Sequence, residues 1–168
     1  ATLLDLVRLL REVCDPLAAA HAAGVVHRDL KPDNIFIHTP PHSEAPQVKI
    51  LDFGIARDLG QKALTATHQG LGTPHYMAPE QATDARGVGP AADVWSLGVL
   101  LYRMARGKLP FDGEGPFDTV LHAMTSPHEP FAPGEAPPAF VELTERCLHK
   151  TPEGRPADAR ALGERLDA

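Results

Sequence analysis

The run His27-Arg28-Asp29-Leu30-Lys31-Pro32-Asp33-Asn34 decides how the rest of the chain is read. It sets two basic residues, two carboxylates and an amide between a short apolar run, Val25-Val26, and a β-branched one, Ile35-Phe36-Ile37. Before it, Leu3, Leu6, Val7, Leu10, Cys14 and Leu17 recur at steps of three and four, which predicts an amphipathic helix with one buried stripe. Pro16 interrupts that stripe, and an interior proline costs a helix about 3 kcal/mol. The alanine-rich continuation to Ala23 predicts a kink rather than a stop, with Gly24 ending the helix. After the run, Ile35–Ile37 and Val48–Leu51 read as two short strands. The proline-rich connector 39–46 between them is placed at the surface. Such a hairpin brings Asn34, just before its first strand, close to Asp52, just after its second.

Residues 55–77 are polar and glycine-punctuated, too poor in apolar surface to fix themselves, and are expected to be mobile. In Ala91–Arg106, Val94, Trp95, Leu97, Val99, Leu100, Leu101 and Met104 cover nearly every face, the pattern of a fully buried helix. A short helix near Thr119–Met124 follows, then one with Phe140, Val141, Thr144, Cys147 and Leu148 on one face. A last helix, roughly Pro156–Leu166, turns Ala161, Leu162 and Leu166 inward. The expected fold is mainly α with one small β-hairpin.

The 168 residues are 43% hydrophobic and 23% charged, the composition of a soluble globular domain. A chain of this length buries about 70% of its unfolded surface, enough for a core. A net charge of −6 argues against nucleic acid as the main partner. Cys14 and Cys147 form no C-x-x-C pair and read as two reduced, buried thiols of a cytoplasmic protein. The nine histidines show no zinc-ligand spacing and read as scattered surface residues. No apolar run reaches the ~18 residues of a membrane span.

The opening run matches the H-R-D-x-x-x-x-N catalytic-loop signature of protein kinases, in the Lys-Pro form of the Ser/Thr type. Asp52-Phe53-Gly54 and Ala78-Pro79-Glu80 follow in the family's order, and the run Thr73 to Gln81 most resembles bacterial kinases of the eukaryotic type. The resemblance covers nearly all 168 residues, as the C-terminal lobe of a two-lobed catalytic domain with catalytic loop 27–34 and activation segment 52–80. It implies transfer of the ATP γ-phosphate to Ser/Thr hydroxyls of a protein substrate. Asp29 is then the base, and Lys31 a fixed positive charge near the transferred phosphate. Asn34 and Asp52 are hard oxygen ligands for Mg²⁺ beside ATP.

Arg28 resembles the arginine that pairs with a phosphorylated activation-segment residue, for which Thr65 and Thr67 are both candidates. Arg57 either adds to that basic pocket or is an ordinary surface residue. Thr73 resembles the substrate-positioning threonine. Glu80 and Arg155 resemble a buried structural ion pair, and Asp93 the aspartate that hydrogen-bonds the catalytic-loop backbone. Thr151 departs from the aspartate often found before Pro152 in related kinases.

No glycine-rich G-x-G-x-x-G and no V-A-I-K lysine precede these motifs, so the N-terminal lobe that covers the nucleotide is expected to be absent. The 168 residues alone are therefore expected to transfer phosphate poorly. Two alternatives stand beside the enzyme: a non-catalytic, pseudokinase-like binding module, and a gene fragment whose other lobe is encoded upstream.

Overall fold

The computed structural model describes residues 2–41, 47–53, 74–83 and 87–167. The expected mobility of 55–77 falls almost wholly outside these. Helix α1 (Leu3–Ala22) starts on Thr2, whose hydroxyl accepts the Asp5 N–H (3.2 Å) while the Asp5 carboxylate accepts the Thr2 N–H (2.8 Å). This reciprocal cap satisfies two donors that the first turn otherwise leaves open. Pro16 is accommodated within one continuous helix. The helix closes with Gly24 in the left-handed region (φ 77°), its N–H on the His21 carbonyl and that of Val25 on the Ala20 carbonyl. The buried stripe is Leu10, Val13, Cys14, Leu17 and His21, whereas Leu3, Leu6 and Val7 are only half-buried.

A 3-10 turn (Pro32–Asn34) leads into β1 (Ile35–His38), which pairs antiparallel with β2 (Gln47–Ile50), Ile35 opposite Ile50. A second such turn (Pro74–Tyr76) precedes α2 (Pro79–Thr83), a helix the sequence pattern did not announce. α3 (Ala91–Arg106) forms the middle of the core, every residue from Ala91 to Tyr102 buried. It touches α1, the last two helices of the chain and the Pro74–Tyr76 turn. α4 (Pro116–Thr125) begins three residues earlier than its apolar pattern, because Pro116 fits a first helical turn that needs no N–H. α5 (Pro138–Cys147) turns Phe140, Leu143, Thr144 and Cys147 inward, with Val141 half-buried. α6 runs Ala159–Leu166 rather than from Pro156. Asp158 caps it by accepting the Ala161 N–H, which rotates Ala159, Leu162 and Gly163 into the core and leaves Ala161 and Leu166 half-buried.

Two close approaches fix the helix packing. A Cβ at Gly98 of α3 would stand 2.6 Å from the Cys147 Cβ of α5, and one at Gly163 of α6 would stand 3.3 Å from the Cys14 Cβ of α1. α1 and α6 are also joined by Arg11 Nε and Asp167 Oδ2 at 2.8 Å. Both cysteines are free and buried. Trp95 and Phe111 stack at 5.4 Å between centroids, with Lys150 Nζ 3.7 Å from the Phe111 ring and the Arg155 guanidinium 4.9 Å from the Trp95 ring. Burial pushes the Lys150 ammonium down to about 8, with the Arg155 charge adding to the effect. No helix among the described residues is long and apolar enough to cross a membrane.

Candidate active site

Loop 27–34 hangs between the end of α1 and the start of β1, and two side chains from distant parts of the chain, Asp93 and Gln81, hold its backbone. Asp93, wholly buried in the first turn of α3, accepts the His27 N–H (2.8 Å) on Oδ2 and the Arg28 N–H (2.9 Å) on Oδ1. Its Oδ2 also faces His21 Nε2 of α1 at 2.8 Å. His21 Nδ1 accepts the Ala159 N–H (3.2 Å) at the start of α6, so Nε2 carries the hydrogen and donates to Asp93. An acceptor-only group surrounded by donors is the economical way to bury a carboxylate.

His27 is likewise buried, tilted against Phe53 at 4.8 Å. Its Nδ1 accepts the Asp29 N–H (3.3 Å), leaving Nε2–H to donate to the Leu51 carbonyl (2.9 Å). Two of the nine histidines are therefore interior hydrogen-bonding groups, not surface residues. The sequence pattern missed them because a lone histidine in an alanine-rich stretch, or at the head of a polar loop, carries no apolar periodicity. Gln81 was also missed as a site residue: its Nε2 donates to the Arg28 carbonyl (2.8 Å).

These bonds bring the polar residues of the loop to the end of the hairpin. Lys31 Nζ lies 3.3 Å from Asp29 Oδ2. Asn34 is buried and donates its Nδ2 to the Asp29 carbonyl (2.8 Å), which leaves the carboxamide oxygen as its ligating atom. The Leu51 N–H donates to the Asn34 carbonyl (2.9 Å), so Asp52 follows directly on the residue bonded to Asn34. Asp52 is exposed. Among the described residues, two non-glycine residues adopt the left-handed region, Arg28 (φ 64°) and Asp52 (φ 55°), and both belong to this cluster. Backbone strain of this kind persists only where the surroundings over-determine it, and it gathers at functional sites. One amide oxygen and one carboxylate, at the two backbone positions that flank the hairpin, are hard donors of the kind that suits Mg²⁺.

Below the loop, Arg155 and Glu80 meet in a two-point pair, Nη1–Oε1 at 2.7 Å and Nη2–Oε2 at 2.9 Å. The other three guanidinium hydrogens go to the carbonyls of His149, Ala91 and Lys150, so all five donors of a buried arginine are used. This ties the residue after Pro79 to α3 and to the segment before α6. Thr65, Thr67, Thr73 and Arg57 lie outside the described residues.

A family model described as the protein kinase domain matches residues 4–165. The chain is 46% identical over 164 residues to the serine/threonine-protein kinase Pkn1 of Myxococcus xanthus, covering 95% of this chain and 23% of that protein. It is 43% identical over 161 residues to PkaA of Streptomyces coelicolor, covering 95% of this chain and 29% of the relative. To PknL of Mycobacterium tuberculosis it is 39% identical over 164 residues, 96% of this chain and 40% of the relative. The chain thus spans less than half the length of these curated relatives. With three motifs in the family's order and a family model matched over 4–165, the chain belongs to the protein kinase domain family.

Proposed function

We propose that these residues form the C-terminal lobe of a Ser/Thr protein kinase that transfers the γ-phosphate of ATP to protein hydroxyls. The observation that carries this reading is the convergence of Asp29, Lys31, Asn34 and Asp52 on one backbone scaffold, the polarity of each matched to one task. Phosphoryl transfer asks a protein for positioning and charge neutralisation more than for covalent chemistry. Asp29 accepts the proton of the substrate hydroxyl as that oxygen bonds to phosphorus. Lys31, held against Asp29, presents a fixed positive charge to the transferred group. Asn34 and Asp52 would hold Mg²⁺, which when bound neutralises phosphate charge. Arg28 pairs with the phosphorylated form of Thr65 or Thr67, and Thr73 helps position the substrate. We infer a cytoplasmic, ATP-dependent enzyme; the relatives named serine/threonine-protein kinases support the kinase part of that reading.

The test joins a relative's glycine-loop and lysine lobe ahead of Leu3 and follows transfer of labelled phosphate from ATP to a generic Ser/Thr protein. Transfer is expected, and Asp29→Ala is expected to lower it about 10²–10⁴-fold, the range of a general base. A folded two-lobed protein that transfers nothing, or one indifferent to Asp29→Ala, overturns the proposal. The 168 residues alone are expected to transfer very little, since the nucleotide cradle is half-built. Robust transfer by that chain, abolished by Asp29→Ala, would refute this dependence on the second lobe.

A further inference from the structure

We propose that Gln81 is a positioning residue that locks the end of the 52–80 segment to the catalytic loop through the strained backbone of Arg28; this rests on the kinase reading of that loop. Gln81 stands at the third position of α2, directly after Glu80. Its Nε2 donates to the Arg28 carbonyl at 2.8 Å, and its Oε1 accepts the Ala78 N–H at 2.9 Å. Both neighbours are backbone groups of fixed polarity, so the carboxamide fits in one orientation only. Arg28 has φ 64°, a conformation that L residues other than glycine adopt at a cost. Asp93 holds the N–H of this residue and Gln81 its carbonyl, so one peptide unit on each side is fixed by a side chain from elsewhere in the fold. The next residue is Asp29. A carbonyl free to swing at Arg28 would let ψ relax, and the direction of Asp29 and of the Lys31 pair would change with it.

The bridge has two halves of opposite sense, and substitution separates them. Gln81→Glu keeps the shape and the acceptor for Ala78 but removes the donor to Arg28 once the new carboxyl is ionised. Acid restores the donor by protonating it. Gln81→Met keeps the length and removes both. The measurement is amide hydrogen exchange by NMR on the 168-residue chain at pH 4.5 and pH 7.5, each variant as a ratio to wild type at the same pH. The surrounding charged groups (Arg28 itself, Asp93, Glu80 and Arg155) are common to all three proteins, so that ratio removes their contribution.

At pH 7.5 the Arg28 and Asp29 amides are expected to exchange about tenfold faster in both variants, the equivalent of one net hydrogen bond. The Ala78 amide should be faster only in Gln81→Met, and the Leu97–Leu101 amides of α3 unaltered in both. At pH 4.5, where about half of the new carboxyl is protonated, the Arg28 and Asp29 amides of Gln81→Glu should return part of the way to the wild-type rate, while those of Gln81→Met stay fast. Unaltered exchange at Arg28 and Asp29 overturns the proposal. So does a loss in Gln81→Glu that acid fails to lessen, or an acceleration shared equally by α3, which would mean general destabilisation. Because the readout is exchange and not transfer, a protein without kinase activity sinks the functional reading and leaves this one standing, while unaltered exchange sinks this one alone.

Discussion

Replacing Asp93 by asparagine sets two large effects against each other. The carboxylate is wholly buried and accepts three hydrogen bonds of 2.8–2.9 Å, from His21 Nε2 and from the His27 and Arg28 amides. An asparagine offers one oxygen and one NH₂ group in the same space. With its oxygen in the Oδ2 position it keeps His21 and His27, and its NH₂ confronts the Arg28 N–H; reversed, it keeps only Arg28. The better orientation therefore still loses one hydrogen bond to a charged acceptor, about 1.5–3 kcal/mol, and strands a buried donor at about 1–3 kcal/mol. Against this, the substitution removes a buried charge whose desolvation is offset only by these donors. His21 is a neutral donor here, because its Nδ1 accepts from Ala159, so no full positive charge is lost as a partner. The hydrogen bonds win, and Asp93→Asn is expected to lower unfolding free energy by about 2–4 kcal/mol once the charge relief is set against them. Asp93→Ala, which strands all three donors, should cost more. Urea unfolding followed by fluorescence of the single, buried tryptophan, Trp95, reads both. A loss under about 0.5 kcal/mol for Asp93→Asn, near the scatter of substitutions that touch nothing, would show that charge burial governs this position.

Three further outcomes follow from the core. Burial pushes the Cys14 and Cys147 thiols up to about 12, so iodoacetamide at pH 8 should leave both unmodified in the folded chain and label both in urea, read by mass. Because the unfolded thiols ionise from about 9 while the folded ones stay neutral, the unfolded state binds fewer protons in that window. Stability from this pair is therefore complete below pH 9 and lost as pH rises from 9 towards 12; the check is a cysteine-free variant, whose stability should fall less steeply than wild type across that window. Gly98→Ala places a Cβ 2.6 Å from the Cys147 Cβ and 3.2 Å from that residue's carbonyl carbon, so backbone must move. A loss of about 1–3 kcal/mol is expected by urea unfolding, and a neutral result would mean that α3 and α5 separate without cost.

Where one helix or loop explains itself, its sequence was enough. The α1 stripe, the buried run of α3 and the two apolar stretches of the hairpin each carry a period that local geometry enforces. The motif residues Asp29, Lys31, Asn34 and Asp52 could be picked out because their order is unusual, and they stand together in the fold. What stayed hidden depends on partners far away in the chain. His21 matters only once Asp93 and Ala159 flank it, and Gln81 only once α2 lies against Arg28. The start of α6 was misjudged for a different reason: Pro156 looks like a first helical residue, but Asp158 is the residue whose side chain caps.

The packing of α1 against α6 also has a meaning for how the chain is made. The first helix presents Cys14 to Gly163 and Arg11 to Asp167, so this side of it has no cover until nearly the whole module has been synthesised. At about 5–20 residues per second, that leaves an apolar stripe open to solvent for roughly ten seconds or more on the ribosome. During that interval the stripe is a natural holding site for a chaperone, and α6, the last helix of this module, is the element whose arrival releases it. Truncation within α6 should therefore be felt most as aggregation of nascent chains, ahead of any effect on the chemistry at the other end of α1.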